Sequence, residues 1–171
     1  MKPKLFIMCG LSGSGKSSIA KDLAVKYHAE IVSSDAIREE LFGSCQNQSD
    51  NNQSDNEKVF NIFNKRIRES LNKNKNVIAD ATNITIKSRR AIVEYVRKLD
   101  VEKICYIVPK KYKDCVKDNK NREHTVPEYV LEKQLRRFQI PFKEEGFSEI
   151  VIHDMGYTYA EKSFQMQLRY Q

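Results

Sequence analysis

Gly10-Leu11-Ser12-Gly13-Ser14-Gly15-Lys16-Ser17 is the stretch that decides the fold class of this 171-residue chain. It meets the pattern G-x-x-x-x-G-K-[ST] at every fixed position. Just before it, Leu5-Phe6-Ile7-Met8-Cys9 is a continuous apolar run, the pattern of a strand buried on both faces of a parallel sheet. Just after it, Ile19, Ala20, Leu23, Ala24 and Tyr27 recur at helical spacing. Strand, glycine loop and helix in this order predict a phosphate-binding loop. Gly10, Gly13 and Gly15 are expected to take positive φ and turn successive N–H groups inward as an anion nest. The helix that opens at Lys16 adds unpaired amides and its positive dipole end. The Lys16 ammonium suits β- and γ-phosphate oxygens, and the Ser17 hydroxyl suits Mg2+. Residues 10 to 17, with Ser18, are therefore the expected binding set for ATP or another nucleoside triphosphate.

Outward from the loop, Ala29-Glu30-Ile31-Val32-Ser33-Ser34 is a second apolar segment, and it ends at Asp35. Two strands joined by a helix make a right-handed βαβ unit. Asp35 then lies at a strand's carboxyl end, the edge where ligands sit in open α/β sheets. It also suits the N-cap of a short helix running to Phe42, and the two roles are compatible. Residues 46–56 hold the pentapeptide Asn-Gln-Ser-Asp-Asn twice in succession. A duplication this short is no solenoid, and its composition predicts a mobile polar surface loop. Phe60, Phe63, Ile67 and Leu71 form one helical stripe. Val77-Ile78-Ala79 is a third strand and ends in Asp80-Ala81-Thr82-Asn83, small polar residues that either line a site or close an Asx-type turn.

The next helix carries Ile92, Tyr95, Val96 and Leu99 on one stripe, with Arg89, Arg90 and Arg97 off it. Lys103-Ile104-Cys105-Tyr106-Ile107-Val108 is a fourth strand, closed by Pro109. Residues 110–137 carry nine Lys or Arg against five acids. Within them, the run from Lys117 to His124 has no apolar residue, which predicts an exposed, movable segment. Thr125-Val126-Pro127-Glu128 then opens a helix, with a box-like Thr–Glu pair and proline in its first turn. Ile150-Val151-Ile152-His153 is a fifth strand, and residues 157–170 are expected to form a closing helix. The expected architecture is α/β, a kinase-type P-loop NTPase. A mostly parallel five-stranded sheet is flanked by helices, with a basic lid at about 110–140 in a single domain over 1–171.

A formal net charge of +7 favours an anionic partner. The four cysteines, Cys9, Cys45, Cys105 and Cys115, show no C-x-x-C spacing, and the three histidines lack metal-ligand spacing. The first apolar run is too short for a secretory segment, and no stretch is long enough to span a membrane, so a cytoplasmic location is expected. There is no N-K-x-D guanine signature and no D-x-x-G switch motif, which argues against a GTPase. An acid at the end of strand two and a basic mobile segment late in the chain suit phosphoryl transfer to a bound hydroxyl.

Four elements in order are similar to the kinase domain of the polynucleotide 5′-hydroxyl kinase family, the phage and bacterial end-healing enzymes. They are Gly10 to Ser17, Asp35-Ala36-Ile37-Arg38, Asp80-Ala81-Thr82-Asn83, and Arg122 with Val126-Pro127, and they reach to about residue 140. The resemblance implies that Asp35 is the general base for the attacking hydroxyl. It implies that Arg38 grips the phosphate of the acceptor strand, and that Arg122 is the lid arginine on the donor phosphates. Thr82 and Asn83 are implied to line the acceptor side. It further implies ATP and Mg2+ as cofactors and nucleic acid 5′ ends as partners. Ala81 interrupts a run that is Asp-Thr-Asn in the phage branch, which leaves the partner of Asp80 open. Asp118 stands where relatives often carry arginine. Two alternatives share the same motifs: a kinase for a nucleoside, sugar or antibiotic hydroxyl, and a nucleotide-dependent binding module without transfer activity.

Overall fold

The structure is a computed structural model that describes residues 1–43 and 53–153. Cys45, the first copy of the duplicated pentapeptide and the expected helix at 157–170 lie outside the described residues. Five strands form one sheet: β1 Lys4–Cys9, β2 Ala29–Ser33, β3 Asn76–Asp80, β4 Glu102–Ile107 and β5 Glu149–Ile152. Their order across the sheet is β2-β3-β1-β4-β5, and every pairing is parallel. The helices are α1 Lys16–Tyr27, α2 Ser34–Phe42, α3 Gln53–Asn72, α4 Ile86–Tyr95, α5 Tyr112–Lys120 and α6 Glu128–Arg137, with a short 3-10 turn at Lys143–Glu145.

The apolar run before the phosphate loop becomes the central strand. Leu5, Ile7 and Cys9 on one face, and Phe6 and Met8 on the other, are at most 2% exposed. Phe6 and Met8 pack with Ala20 and Leu23 of α1. Leu5, Ile7 and Cys9 join Ile37 of α2, Val59, Phe63 and Ile67 of α3, and Leu131 of α6. Burying each large apolar side chain here contributes roughly 1.5–3 kcal/mol. The order of strands decides where the site lies. From β1 the chain runs out to β2 and returns through β3 on one side, then crosses to β4 and β5 on the other. The carboxyl end of β1 is therefore the point where strand order reverses, the crevice where such sheets take ligands. The phosphate loop sits there.

Local details depart from the sequence expectations. Ser33, not Asp35, caps α2: its hydroxyl accepts from the Ala36 N–H at 3.3 Å, which puts Asp35 in the first turn. Gln53, Ser54, Asp55 and Asn56 belong to α3 and not to the expected loop at 46–56. Pro127 precedes α6 at its cap position, and Thr125 turns back to donate from Oγ1 to the Arg122 carbonyl at 3.2 Å in place of capping. The segment read as exposed from Lys117 to His124 begins inside α5, and its Asn119 is 3% exposed. The Asn119 amide donates from Nδ2 to the Val126 carbonyl at 2.6 Å and accepts from the Val126 N–H at 3.0 Å, closing residues 119–126 into a strap.

Arg89 departs most from the α4 stripe. It is fully buried, and its Nε and Nη2 each donate to Glu145 at 2.8 Å while Nη1 donates to the Asn83 carbonyl at 3.0 Å. Tyr95, expected in the core stripe, is 41% exposed. A buried pair strands a charge when one partner is lost. Arg89→Met or Glu145→Leu alone is expected to lower stability by about 3–5 kcal/mol, and the double apolar variant to recover most of that loss. Urea unfolding midpoints of the three variants check this.

Candidate active site

The phosphate loop has the geometry of an anion nest, with one correction. Gly13 and Gly15 take positive φ, 79° and 92°. Gly10 is not among the positive-φ glycines. A Cβ there would lie 2.8 Å from the Val108 carbonyl oxygen and 2.9 Å from Ser14 Oγ, so glycine is needed for close approach and not for its torsion. Gly15 is the N-cap of α1 and brings no capping side chain, which leaves the first helical amides facing the loop. The loop is tied from behind where the Gly10 N–H donates to the Thr82 carbonyl at 3.0 Å. Lys16 lies in the loop's interior, only 8% exposed, and donates from Nζ to the Leu11 carbonyl at 2.7 Å.

A cleft of about 270 Å³ opens in front of this loop. Ser12, Gly13, Gly15, Lys16, Ser17 and Ser18 form its floor, and Asp35, Arg38, Thr82 and Arg122 line its walls. Gly10, Leu11 and Ser14 support the floor instead of lining it. Asn83 does not line the cleft: it is 2% exposed, and its Nδ2 donates to the Met8 carbonyl at 2.8 Å. With φ at 46° and its own carbonyl held by Arg89, it fastens the turn after β3 to β1. Its place behind the wall departs from the expected acceptor-side position.

Phe60, Lys110 and Gln134 were not read as cleft residues, and the open role of Asp80 gains a defined partner. Asp80 ends β3, 8% exposed, and accepts from the Ser17 hydroxyl at 3.0 Å through Oδ2. An acid closing the strand beside the phosphate loop was the available signal. Phe60, assigned to the core stripe of α3, forms part of the wall beside Arg38, whose guanidinium lies 5.9 Å from its ring centre. Phe63, fully buried, holds that ring edge-on at 5.6 Å between centroids. Lys110 and Gln134 enter from the lid segment. No local pattern distinguishes them from solvated surface residues.

Charges of opposite sign alternate around the cleft. Arg122 meets Asp35 at 3.8 Å, each side chain at least a third exposed or nearly so, which makes a weak and easily exchanged pair. Lys110 bonds Asp118 and also donates to the Gly13 carbonyl at 3.2 Å. The hydrogen bond from Lys110, with its charge, holds the Asp118 carboxyl below the usual range, so the acid at the lid is paired with its neighbour. Burial pushes the Asp80 carboxyl above its ordinary value, opposed by the Lys16 charge and the Ser17 hydrogen bond. Burial likewise lowers the Lys16 ammonium, opposed by Asp80. Ser17 and Asp80 offer two hard oxygen donors side by side, the donor set that Mg2+ takes when phosphates complete its shell. Among the described residues no group of three or more His, Cys, Asp or Glu is placed to hold a metal, and no helix is long and apolar enough to cross a membrane.

No curated protein sequence matches the chain. Among solved structures, a sugar kinase from Janibacter sp. HTCC2649 superposes with a TM-score of 0.70 at 16% identity, over 98% of this chain and 95% of that one. Kti12 of Chaetomium thermophilum, in complex with ADP-AlF3, gives a TM-score of 0.71 at 14% identity over 97% and 95%. The Pnkp1/Rnl/Hen1 RNA repair complex contributes a chain with a TM-score of 0.67 at 24% identity, over 78% of this chain but 43% of that one. At these identities the likeness is one of fold alone. The model of the AAA domain family matches residues 5–141, from the first strand to the end of the lid. The chain belongs to that AAA domain family, and its fold is that of a P-loop kinase.

Proposed function

We propose that this chain transfers the γ-phosphoryl group of a nucleoside triphosphate, ATP first, to a hydroxyl acceptor, and that the acceptor is the 5′-hydroxyl end of RNA or DNA. One observation carries the transfer: Asp35 and Arg122 meet at 3.8 Å on the wall of the cleft whose floor is the phosphate loop. A carboxylate and a guanidinium so placed bracket the space between donor and acceptor. The Asp35 carboxylate takes the proton of the acceptor hydroxyl as its oxygen bonds the γ-phosphorus. The bond from that phosphorus to the β–γ bridging oxygen breaks, and the diphosphate leaves. Lys16 and the loop amides hold the donor, while Arg122 gives up Asp35 to follow charge on the transferring group. Mg2+ fits the Ser17 hydroxyl and Asp80 carboxylate, and when bound it neutralises charge on phosphate oxygens.

The acceptor class is supported by Arg38 and Phe60. Arg38, three residues after Asp35 and on the cleft wall, is 6% exposed, and its planar fork suits a phosphate. Phe60, rigidly backed by Phe63, presents a ring next to it on which a base can stack. A phosphate grip beside an aromatic ring suits a nucleotide better than a bare sugar. The net charge of +7 points the same way. The Lys110–Asp118 pair offsets the acid in the lid, which weakens one argument for a binding module without transfer activity.

The chain, incubated with γ-labelled ATP and Mg2+, is expected to label 5′-hydroxyl oligonucleotides in preference to nucleosides and sugars. Label on sugars alone would reject the nucleic acid acceptor, and label on no hydroxyl would reject the kinase. Asp35→Asn is expected to lower kcat by roughly 10²–10⁴ while ATP still binds calorimetrically. Asp80 has a separate signature. A carboxyl whose pKa rises on folding ionises more readily in the unfolded chain, so its stability contribution falls as pH rises past the ordinary carboxyl value and is fully lost above the raised one. Asp80→Asn is therefore expected to raise the melting temperature of the nucleotide-free chain near neutral pH and to weaken Mg2+-dependent ATP binding. A melting temperature that falls instead would contradict the burial argument.

A further inference from the structure

The two lid helices reach the phosphate loop at successive residues. From α6, the Gln134 amide accepts from the Ser12 N–H through Oε1 at 3.0 Å and donates from Nε2 to Ser12 Oγ at 3.0 Å. From α5, the Cys115 carbonyl packs so closely on Gly13 that an added Cβ would lie 2.4 Å from it. Between the helices runs the strap that Asn119 closes on Val126, and Arg122 sits in it. The lid is thus pinned to the apex of the loop on both sides of the arginine it carries.

We infer that Gln134 is a positioning residue: its amide sets the apex of the phosphate loop and couples the loop's shape to the place of Arg122. The inference rests on the nucleotide-binding part of the proposed function. A side-chain amide carries one acceptor and one donor group, so it satisfies the N–H and the hydroxyl of a single serine at once. Glutamate lacks the donor, and leucine lacks both. With Ser12 N–H turned to Gln134, the loop meets phosphates with amides from Gly13 onward, in an arrangement already ordered before binding. A loop released at Ser12 samples other conformations, and the ordering cost reappears in donor affinity. Because α6 follows the strap directly, releasing Gln134 also loosens Arg122. The arginine then contributes less to the donor than it does in the pinned lid.

The test is calorimetric binding of Mg2+ and a non-hydrolysable ATP analogue to the whole chain, with thermal unfolding of every variant. Gln134→Leu is expected to weaken binding roughly tenfold, and Ser12→Ala, which keeps the backbone half of the clamp, by about threefold. The penalty of Arg122→Ala is expected to shrink at least about threefold in the Gln134→Leu background, because the two residues act through one device. Unchanged affinity in both Gln134→Leu and Ser12→Ala overturns the inference, as do penalties that simply multiply. So does a loss confined to thermal stability, which marks Gln134 as packing alone. A chain that shows the coupling yet phosphorylates no hydroxyl keeps the inference and loses the kinase reading. A chain that transfers phosphate with independent penalties does the reverse.

Discussion

A loop that grips phosphate with its own N–H groups must leave those groups without internal partners, and so cannot hold itself together as a helix or strand does. In this chain much of the holding comes from outside the loop. The Thr82 carbonyl takes the Gly10 N–H from behind, and the Lys16 ammonium spans the interior to the Leu11 carbonyl. From the front, Gln134 and Lys110 reach Ser12 and Gly13. Each such bond contributes only about 0.5–1.5 kcal/mol net. Their number and opposite directions, more than any one strength, keep the amides aimed into the cleft.

The same economy governs charge. Lys16 is close enough to Asp80 to be held up by it, Arg122 faces Asp35, and Lys110 faces Asp118. In the proposed function, phosphates entering the cleft would exchange with carboxylates already paired to Arg122 and Lys110. The part-exposed Arg122–Asp35 contact at 3.8 Å is a weak pair. In the proposed reaction, its release would free both members together, Arg122 for the donor phosphates and Asp35 for the acceptor proton. Asp118, which by residue type alone opposes phosphate binding, is consumed by its own ion pair.

Behind the cleft lies a polar framework inside the apolar core. Glu145 fixes Arg89, Arg89 holds the Asn83 carbonyl, and the Asn83 amide reaches the Met8 carbonyl on the central strand. This chain of contacts sets the turn from Asp80 to Thr82, whose carbonyl in turn anchors the phosphate loop. Asp80, ending β3 at the start of that turn, is held close to Ser17. A buried ion pair is a costly way to stabilise a fold. Here it orients a turn that two parts of the site share.

Much of the fold was legible in the chain because periodicity and motif are local properties. Five apolar runs named the strands to within a residue or so, and the glycine loop named the central one. Lys16, Ser17 and Asp35 were singled out from residue type and spacing, and Arg38, Thr82 and Arg122 through the family resemblance; all six share one cleft. Asn83 and Arg89 were misplaced, since residue type does not reveal which way a side chain turns at a helix start or strand end, and Phe60, read as core, packs there while also walling the cleft. Gln134, Lys110 and Glu145 had no signal, because their partners lie 122, 97 and 56 residues away. The sequence by itself determined the parallel α/β sheet and the identity of the phosphate loop, since hydrophobic spacing and glycine chemistry act over a few residues. Only the tertiary structure decided how that loop is held and which acid faces which cation, because those contacts exist only once distant segments have been brought together by burial of the core.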